Sequence, residues 1–364
     1  MNGTCKDMAS NQQSKNRSPG NGKVKIEDVA RMANVSPATV SRVLNHPDIV
    51  SDTLREKVTK AIAALSYTPD NAARALMSRR SRTMGVVVPT LGTSIFAEGI
   101  EALQSRLSEH DYTLLIAASQ YDPDREYQEV RTLTERGVDG LVLVGNSHLP
   151  QTYETIRRQG IPFLTTYVCD SPDAVPSIGI DNESATYDMA RYLLGLGHRE
   201  YGILANTQAS GDRTLARIAG IRRALKDGGL SLDDSRVVSS NHSVMQGRIG
   251  MRDLLVAHPA ITAVICTTDT LAVGALAEAR AMGLRVPQDV SITGFDDIEL
   301  AAQLEPPLTT VSMPAKEIGE AAADYLVNAL DGVPIPLSMA LPYRLVVRGS
   351  TGRPRSRPLA PIRR

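Results

Sequence analysis

The chain has 364 residues, 42% of them apolar, with no Trp and only 3 Phe. That is enough for one or two sizeable cores plus a small unit, and it excludes an aromatic platform for stacking single-stranded nucleic acid. The formal charge is zero but divided: residues 1–82 hold 14 Lys/Arg against 7 Asp/Glu and the remainder 26 against 33, so one end suits a polyanion and the other does not.

The three cysteines, Cys5, Cys169 and Cys266, are scattered without metal-ligand spacing, which fits a reducing compartment. No apolar run approaches the ~20 residues of a membrane helix, so the expected location is cytoplasmic with no membrane contact. Residues 1–22, rich in Asn, Ser, Gly and Lys, read as a disordered arm and not as a signal peptide.

Three helices are predicted over 23–70. In "I-E-D-V-A-R-M-A", Ile26, Val29, Ala30 and Ala33 share one face. Asn34 tolerates the left-handed turn that follows, Ser36 is a good N-cap and Pro37 a good first helical residue. Val40, Val43 and Leu44 form the inner stripe of the second helix. A third begins at Ser51 or Asp52, with Leu54, Val58, Ile62 and Leu65 inside.

Two helices joined by a tight turn make a helix-turn-helix pattern. With Val40 and Val43 buried, Pro37, Ala38, Thr39, Ser41, Arg42 and Asn45 are left as the face for the DNA major groove. Small residues allow close approach, and Arg42 suits guanine O6 and N7. Lys23, Lys25, Arg31, Arg55, Lys57 and Lys60 supply phosphate attraction. A plain helical hairpin with a solvated face has the same periodicity; the surrounding charge favours the DNA reader.

Residues 71–82, "N-A-A-R-A-L-M-S-R-R-S-R", read as a linker with a helix too short to persist alone. Asn71 is its cap, Arg74, Arg79, Arg80 and Arg82 carry charge, and Leu76 is an apolar wedge of the kind that enters a minor groove and kinks the duplex. The alternative is that Leu76 packs on the large domain. From Met84 onward short apolar runs ("M-G-V-V-V-P", "T-L-L-I-A-A", "G-L-V-L-V-G", "P-F-L-T-T-Y", "Y-G-I-L-A", "A-V-I-C-T-T", "V-S-I-T-G-F") alternate with amphipathic stretches such as 96–109 and 182–195. That pattern means parallel sheet covered on both faces. Two doubly wound halves fit the length, and an eight-fold barrel competes. The Pro/Arg-rich segment 351–364 is expected to be a disordered basic tail.

The stretch "V-K-I-E-D-V-A-R-M-A-N-V-S-P-A-T-V-S-R-V-L-N" strongly resembles the headpiece of the lactose/galactose repressor (LacI/GalR) family. The similarity continues through "L-S-Y-T-P-D-N-A-A-R-A-L", "V-D-G-L-V-L-V", "L-G-H-R", "R-I-A-G-I", "T-D-T-L-A-V-G-A-L", "V-S-I-T-G-F-D-D" and "P-P-L-T-T-V". The resemblance covers about 23–350. It implies an all-α helix-turn-helix headpiece joined to an α/β periplasmic-binding-protein-like domain of two doubly wound parallel-sheet subdomains, crossed three times by the chain. We expect the subdomains at 83–180 with 309–336 and at 181–308 with 337–350. Asn34 stands where the family usually has Gly, and Leu76 matches the intercalating Leu of its hinge helix.

In such a domain ligands bind at the carboxyl ends of strands, between the lobes. Strand ends place Tyr167, Thr268, Asp269, Asp296 and Asp297 there, and the loop after Asn206 leads to Arg213 and Arg217. With Phe96, the expected effector set is Phe96, Tyr167, Arg213, Arg217, Thr268, Asp269 and Asp296, suited to a polyhydroxylated or anionic molecule. The resemblance assigns effector contacts to Arg217 and Asp296. Thr268 stands where many members carry Asn and Tyr167 where many carry Asp. Asp269 and Asp297 have a second reading as helix caps.

The six His form no metal-ligand spacing, and no Gly-x-Ser-x-Gly or Walker-type loop occurs. The expectation is a non-enzymatic, cofactor-free regulator, acting as a repressor. It binds pseudopalindromic double-stranded operator DNA as a homodimer and answers to a small-molecule effector such as a sugar or sugar acid. The rival is the solute-binding protein of a sugar transporter.

Overall fold

A helix enters the first core wherever small or β-branched residues recur at three- and four-residue spacing. α1 (Ile26–Ala33), α2 (Pro37–Asn45) and α3 (Asp52–Leu65) do so, burying Val29, Ala30, Ala33, Val40, Val43, Val58 and Ala61 together. Asn34 ends α1 in the left-handed region at φ 52°. The Thr39 N–H donates to the Ser36 hydroxyl at 3.1 Å and caps α2. The computed structural model describes residues 24–45, 47–68, 80–170, 174–206, 211–239 and 241–356. The chain divides into two units, 1–78 and 79–364.

The second unit is built from two parallel sheets. The first contains β1 (Thr83–Val88), β2 (Thr113–Ala118), β3 (Gly140–Val144), β4 (Phe163–Thr166), β5 (Ser177–Gly179) and β11 (Ser338–Ala340), in the order β11-β5-β4-β3-β1-β2. β1 and β3 are buried along almost their whole length, as two-sided cover requires. One face carries α4 (Ser94–Ser108) and α11 (Ala315–Leu330), the other α5 (Pro123–Glu135) and α6 (Pro150–Gln159).

The second sheet, order β7-β6-β8-β9, contains β6 (Tyr201–Ala205), β7 (Val237–Ser239), β8 (Ala263–Cys266) and β9 (Ser291–Thr293). α7 (Asn182–Gly195) and α8 (Asp212–Asp227) cover one face, α9 (Val244–Ala257) and α10 (Asp269–Ala281) the other. At Gly220 a Cβ would overlap the Glu183 carbonyl of α7; the missing side chain lets α8 lie close enough to aim Arg217 at the lobe junction. An antiparallel pair, β10 (Thr310–Ser312) with β12 (Arg344–Val346), joins the lobes. The chain passes between lobes after β5, after β9 and after β11, which bears out the doubly wound, two-lobed architecture and excludes the barrel.

Three boundaries differ from expectation. Residues 338–340, placed with the second lobe, form the edge of the first sheet, because Ser338–Ala340 pair with Ser177–Gly179. Residues 309–312, placed with the first lobe, extend the second: Thr309 bridges Thr293, and Ser312 bridges Asp296. The tail from 351 is fixed through 356. His198 bonds the Gly352 carbonyl at 2.9 Å, and Arg355 Nη2 donates to the Pro259 carbonyl at 2.6 Å.

Arg80 and Arg82, read as charge carriers of the linker, are engaged within the second unit. Arg80 pairs with Asp331 at 3.0 Å and the Leu330 carbonyl at 2.7 Å, at the C-terminal end of α11; the Arg82 guanidinium lies 5.1 Å from the Tyr112 ring. The arm 1–22, Asn71, Arg74 and Leu76 lie outside the described residues. No described helix is long and apolar enough to cross a membrane.

Candidate functional site

The first unit leaves one small-residue face outward. Pro37, Ala38 and Arg42 are exposed, Thr39 and Ser41 half-buried, while Val40 is fully buried behind them. Asn45 closes α2; its side chain lies outside the described atoms. The Thr39 hydroxyl is bonded to Ser36 at 2.9 Å, so Thr39 shapes the start of the helix. Arg31, Arg55 and Lys60 sit beside Asp28, Asp52 and Glu56 of their own helices, exposed pairs worth about 0.3–0.5 kcal/mol each, too weak to hold them from phosphate.

In the second unit, Phe96, Tyr167, Arg213, Arg217, Thr268 and Asp296 line one cavity between the lobes, with Thr93, Tyr121, Asn206, His242 and Met313. Its enclosed volume is about 50 Å³, a few waters' worth at about 10–15 Å³ each. Three contacts join the two lobes around it. The Asn146 N–H after β3 donates to the Asp212 carboxylate at the start of α8. The Tyr121 ring stacks on His242 at 6.4 Å. The Arg213 guanidinium lies 5.7 Å from the Phe96 ring. A molecule of hexose size therefore enters with the lobes further apart.

Arg217 is held from three sides. Its Nε donates to Asn182 Oδ1 at 2.9 Å, its Nη1 to the Thr267 carbonyl at 2.6 Å, and its plane covers the Phe295 ring at 3.6 Å. Asp296 Oδ1 stands 3.9 Å from Nη1, beyond hydrogen-bond range. Burial pushes the Asp296 carboxyl up to about 7 against the pull of Arg217, and burial lowers Arg217 to about 10. Burial also holds His242 down at about 4, with both arginines adding to the effect, so the imidazole is neutral at physiological pH.

Asp269 does not belong with this set. It is fully buried, accepting from the Thr310 hydroxyl at 2.6 Å and the Ile298 N–H at 2.9 Å. Its carboxylate clamps the crossover between lobes and is absent from the cavity wall. Asp297 pairs with Arg348 at 2.7 Å. Tyr167 lines the cavity as a wall: its hydroxyl already donates to the Ile95 carbonyl at 3.1 Å, and its ring meets Phe96 edge-on at 5.2 Å. Thr268 caps α10. Sequence reasoning missed Tyr121 and His242, which follow β2 and β7; the strand-end rule, applied to those strands, finds both. It also missed Asn182, which orients Arg217 without reaching the cavity wall. Among the described residues no group of three His, Cys, Asp or Glu is placed to hold a metal.

A helix-turn-helix unit and a two-lobed α/β domain with a polar interlobe cleft, joined in one chain, are the parts of a ligand-responsive DNA-binding regulator. Comparison with known proteins agrees. The family described as "Bacterial regulatory proteins, lacI family" matches residues 25–70, and the "Periplasmic binding protein-like domain" matches 190–351. The ribose operon repressor of Haemophilus influenzae is 35% identical over 84% of this chain and 91% of its own. The transcriptional repressor CytR of Escherichia coli is 33% identical over 90% and 96%. The lac repressor dimer bound to operator and an anti-inducer superposes with a TM-score of 0.80 at 27% identity, covering 91% of this chain and all of that one. The chain belongs to the lacI family of bacterial regulatory proteins. It is a DNA-binding transcriptional regulator with an effector-binding domain, and neither an enzyme nor a transporter's solute-binding protein.

Proposed function

We propose that the chain is a cytoplasmic repressor that binds a pseudopalindromic operator as a homodimer and changes its operator affinity when a small polar molecule occupies the interlobe cleft. The observation that carries the DNA half is the face of α2: Pro37, Ala38 and Arg42 outward over a buried Val40. Pro37, Ala38, Thr39, Ser41, Arg42 and Asn45 read the major groove, with Arg42 on a guanine. Asn71, Arg74 and Leu76 contact the minor groove, Leu76 as the wedge.

A dimer is supported by an apolar stripe on α9, where Val244, Met245 and Ile249 are 41%, 59% and 45% exposed, and by the dimeric lac repressor structure. Two headpieces then meet two half-sites. In the cleft, Arg213, Arg217 and Asp296 grip the effector, Phe96 and Tyr167 form its apolar wall, and Thr268 offers its hydroxyl. Affinity selection from random duplex DNA tests the reading. Two inverted half-sites whose binding weakens steeply with salt support it; enrichment of no inverted repeat rejects it.

A further inference from the structure

We propose that the effector is a small hydroxy acid, its carboxylate held jointly by Arg213 and Arg217 and a hydroxyl by Asp296. The inference rests on the reading of the cleft as the effector site and adds the charge of the ligand.

Arg213 and Arg217 are one turn apart on α8, so both guanidiniums reach the same cavity. Arg217 uses Nε and Nη1 on protein acceptors, and among the described residues its Nη2 end has no protein hydrogen bond. Arg213 Nε is buried without a hydrogen-bond partner; Asp212 Oδ1 lies 3.7 Å away, an ion pair beyond hydrogen-bond range, while Asp212 Oδ2 accepts from the Asn146 N–H.

Two like charges on one cavity wall repel, and the Arg213 Nε left without an acceptor adds a desolvation cost. Asp296 is the one carboxylate among the residues that line this cavity, and at 3.9 Å it hydrogen-bonds neither guanidinium. His242 brings no negative charge. A neutral sugar offers hydroxyl oxygens but no charge to this pair. A carboxylate accepts from two guanidiniums at once and matches their planar geometry.

The size of the anion follows from the other walls. The rest of the wall, with Phe96, the engaged Tyr167, Thr268 and the neutral His242, brings no third cation for a second charged group. A neighbouring opening of about 320 Å³ is bordered by Asp170, Asp181, Glu183 and Asp212 against Arg213 alone, a net negative rim that disfavours a dianion. A monocarboxylate therefore suits the site better than a sugar phosphate.

The test uses the full chain and thermal melting followed by calorimetric titration. The probes are D-gluconate, D-galacturonate and D-glycerate, each against its neutral counterpart glucose, galactose or glycerol, with glucose 6-phosphate as the phosphate arm. At about 20 mM, where even a millimolar Kd saturates, at least one acid raises the melting temperature while its neutral counterpart does not. Arg213→Gln weakens that acid by roughly tenfold or more, and Arg213→Lys restores part of the loss. A neutral sugar or the sugar phosphate binding as tightly as the acids overturns the proposal, as does a melting temperature that none of the three acids moves. If a neutral sugar binds and Arg217→Ala abolishes it, the cleft reading stands and the acid inference alone falls. If an acid binds equally well to Arg213→Gln and Arg217→Ala, both fall.

Discussion

Arg217 Nε donates to Asn182 Oδ1 at 2.9 Å, and the amide of the same Asn182 donates to the Tyr167 carbonyl at 2.9 Å. One side chain thus ties the cleft's central cation, in the second lobe, to the end of β4 in the first. Tyr167 itself sits at φ 65°, a conformation that turns its ring over Gly99, where a Cβ would overlap the Tyr167 hydroxyl. The position of Arg217 is therefore coupled to the first lobe before any ligand arrives.

Asn182→Ala should leave Arg217 Nε and the Tyr167 carbonyl unsatisfied, each costing about 1–3 kcal/mol. The expected outcome is a lower melting temperature and an effector affinity reduced more than the loss of stability accounts for. Titration of ligand into folded variant checks this; unchanged affinity would assign Asn182 a purely structural part.

On the DNA side, Arg42→Ala should lower specific operator binding by roughly 1–3 kcal/mol while leaving random DNA nearly unaffected. Lys25→Ala should weaken both and reduce the salt slope by about one. Competition gel shifts separate these outcomes; equal losses on the two DNAs for Arg42→Ala would make it a phosphate contact.

The cleft should respond to pH through two groups of opposite sign. Asp296 titrates near 3.8 unfolded and at about 7 folded, so the folded state binds more protons in that window and this contribution falls as pH rises. His242 moves from 6.5 to about 4, so the unfolded state binds more protons there and its contribution rises with pH. Asp296→Asn removes only the first. Its stability relative to the parent should increase from about pH 4 to 7 and level off above; urea unfolding across that range would show a flat difference if Asp296 titrates normally.

The parallel strands are legible as apolar runs: β1, β2, β3, β4, β6, β8 and β9 all fall on them, and all but the edge strand β2 are largely buried. β5, β7, β10, β11 and β12 span three residues each, as β9 does, but lie outside those runs, and their pairing is set by where the chain crosses between lobes. That is why residues 338–340 were assigned to the wrong sheet. Arg217 and Asp296 were legible because strand ends and helix starts point into the cleft. Asp269 satisfies the same rule, yet its carboxylate turns inward to Thr310, a direction that sequence position does not encode. The tail read as disordered from its Pro and Arg content, but His198, buried and bonded to both Thr262 and Gly352, anchors its first residues.

That anchor has a consequence for stability. Deleting 352–364 removes the Gly352 carbonyl from His198 and the Arg355 contacts to Asp289 and Pro259. The truncated chain should lose about 1–3 kcal/mol with its assembly state by light scattering unchanged, since the stripe on α9 is untouched. Unaltered stability would show that the tail contacts contribute nothing.

The central claim is that a base-reading helix and an interlobe cleft are coupled in one chain, so that a ligand gripped by Arg217 changes operator affinity by binding one lobe arrangement better than another. The direct measurement is fluorescence anisotropy of a selected operator duplex titrated with wild-type chain and with Arg217→Ala, each with and without the ligand that raises the wild-type melting temperature. The account predicts that both proteins bind the duplex with similar, salt-sensitive affinity, that the ligand shifts the wild-type curve, and that it leaves the Arg217→Ala curve in place. An equal ligand shift in both proteins, or no shift in the wild type, would contradict it.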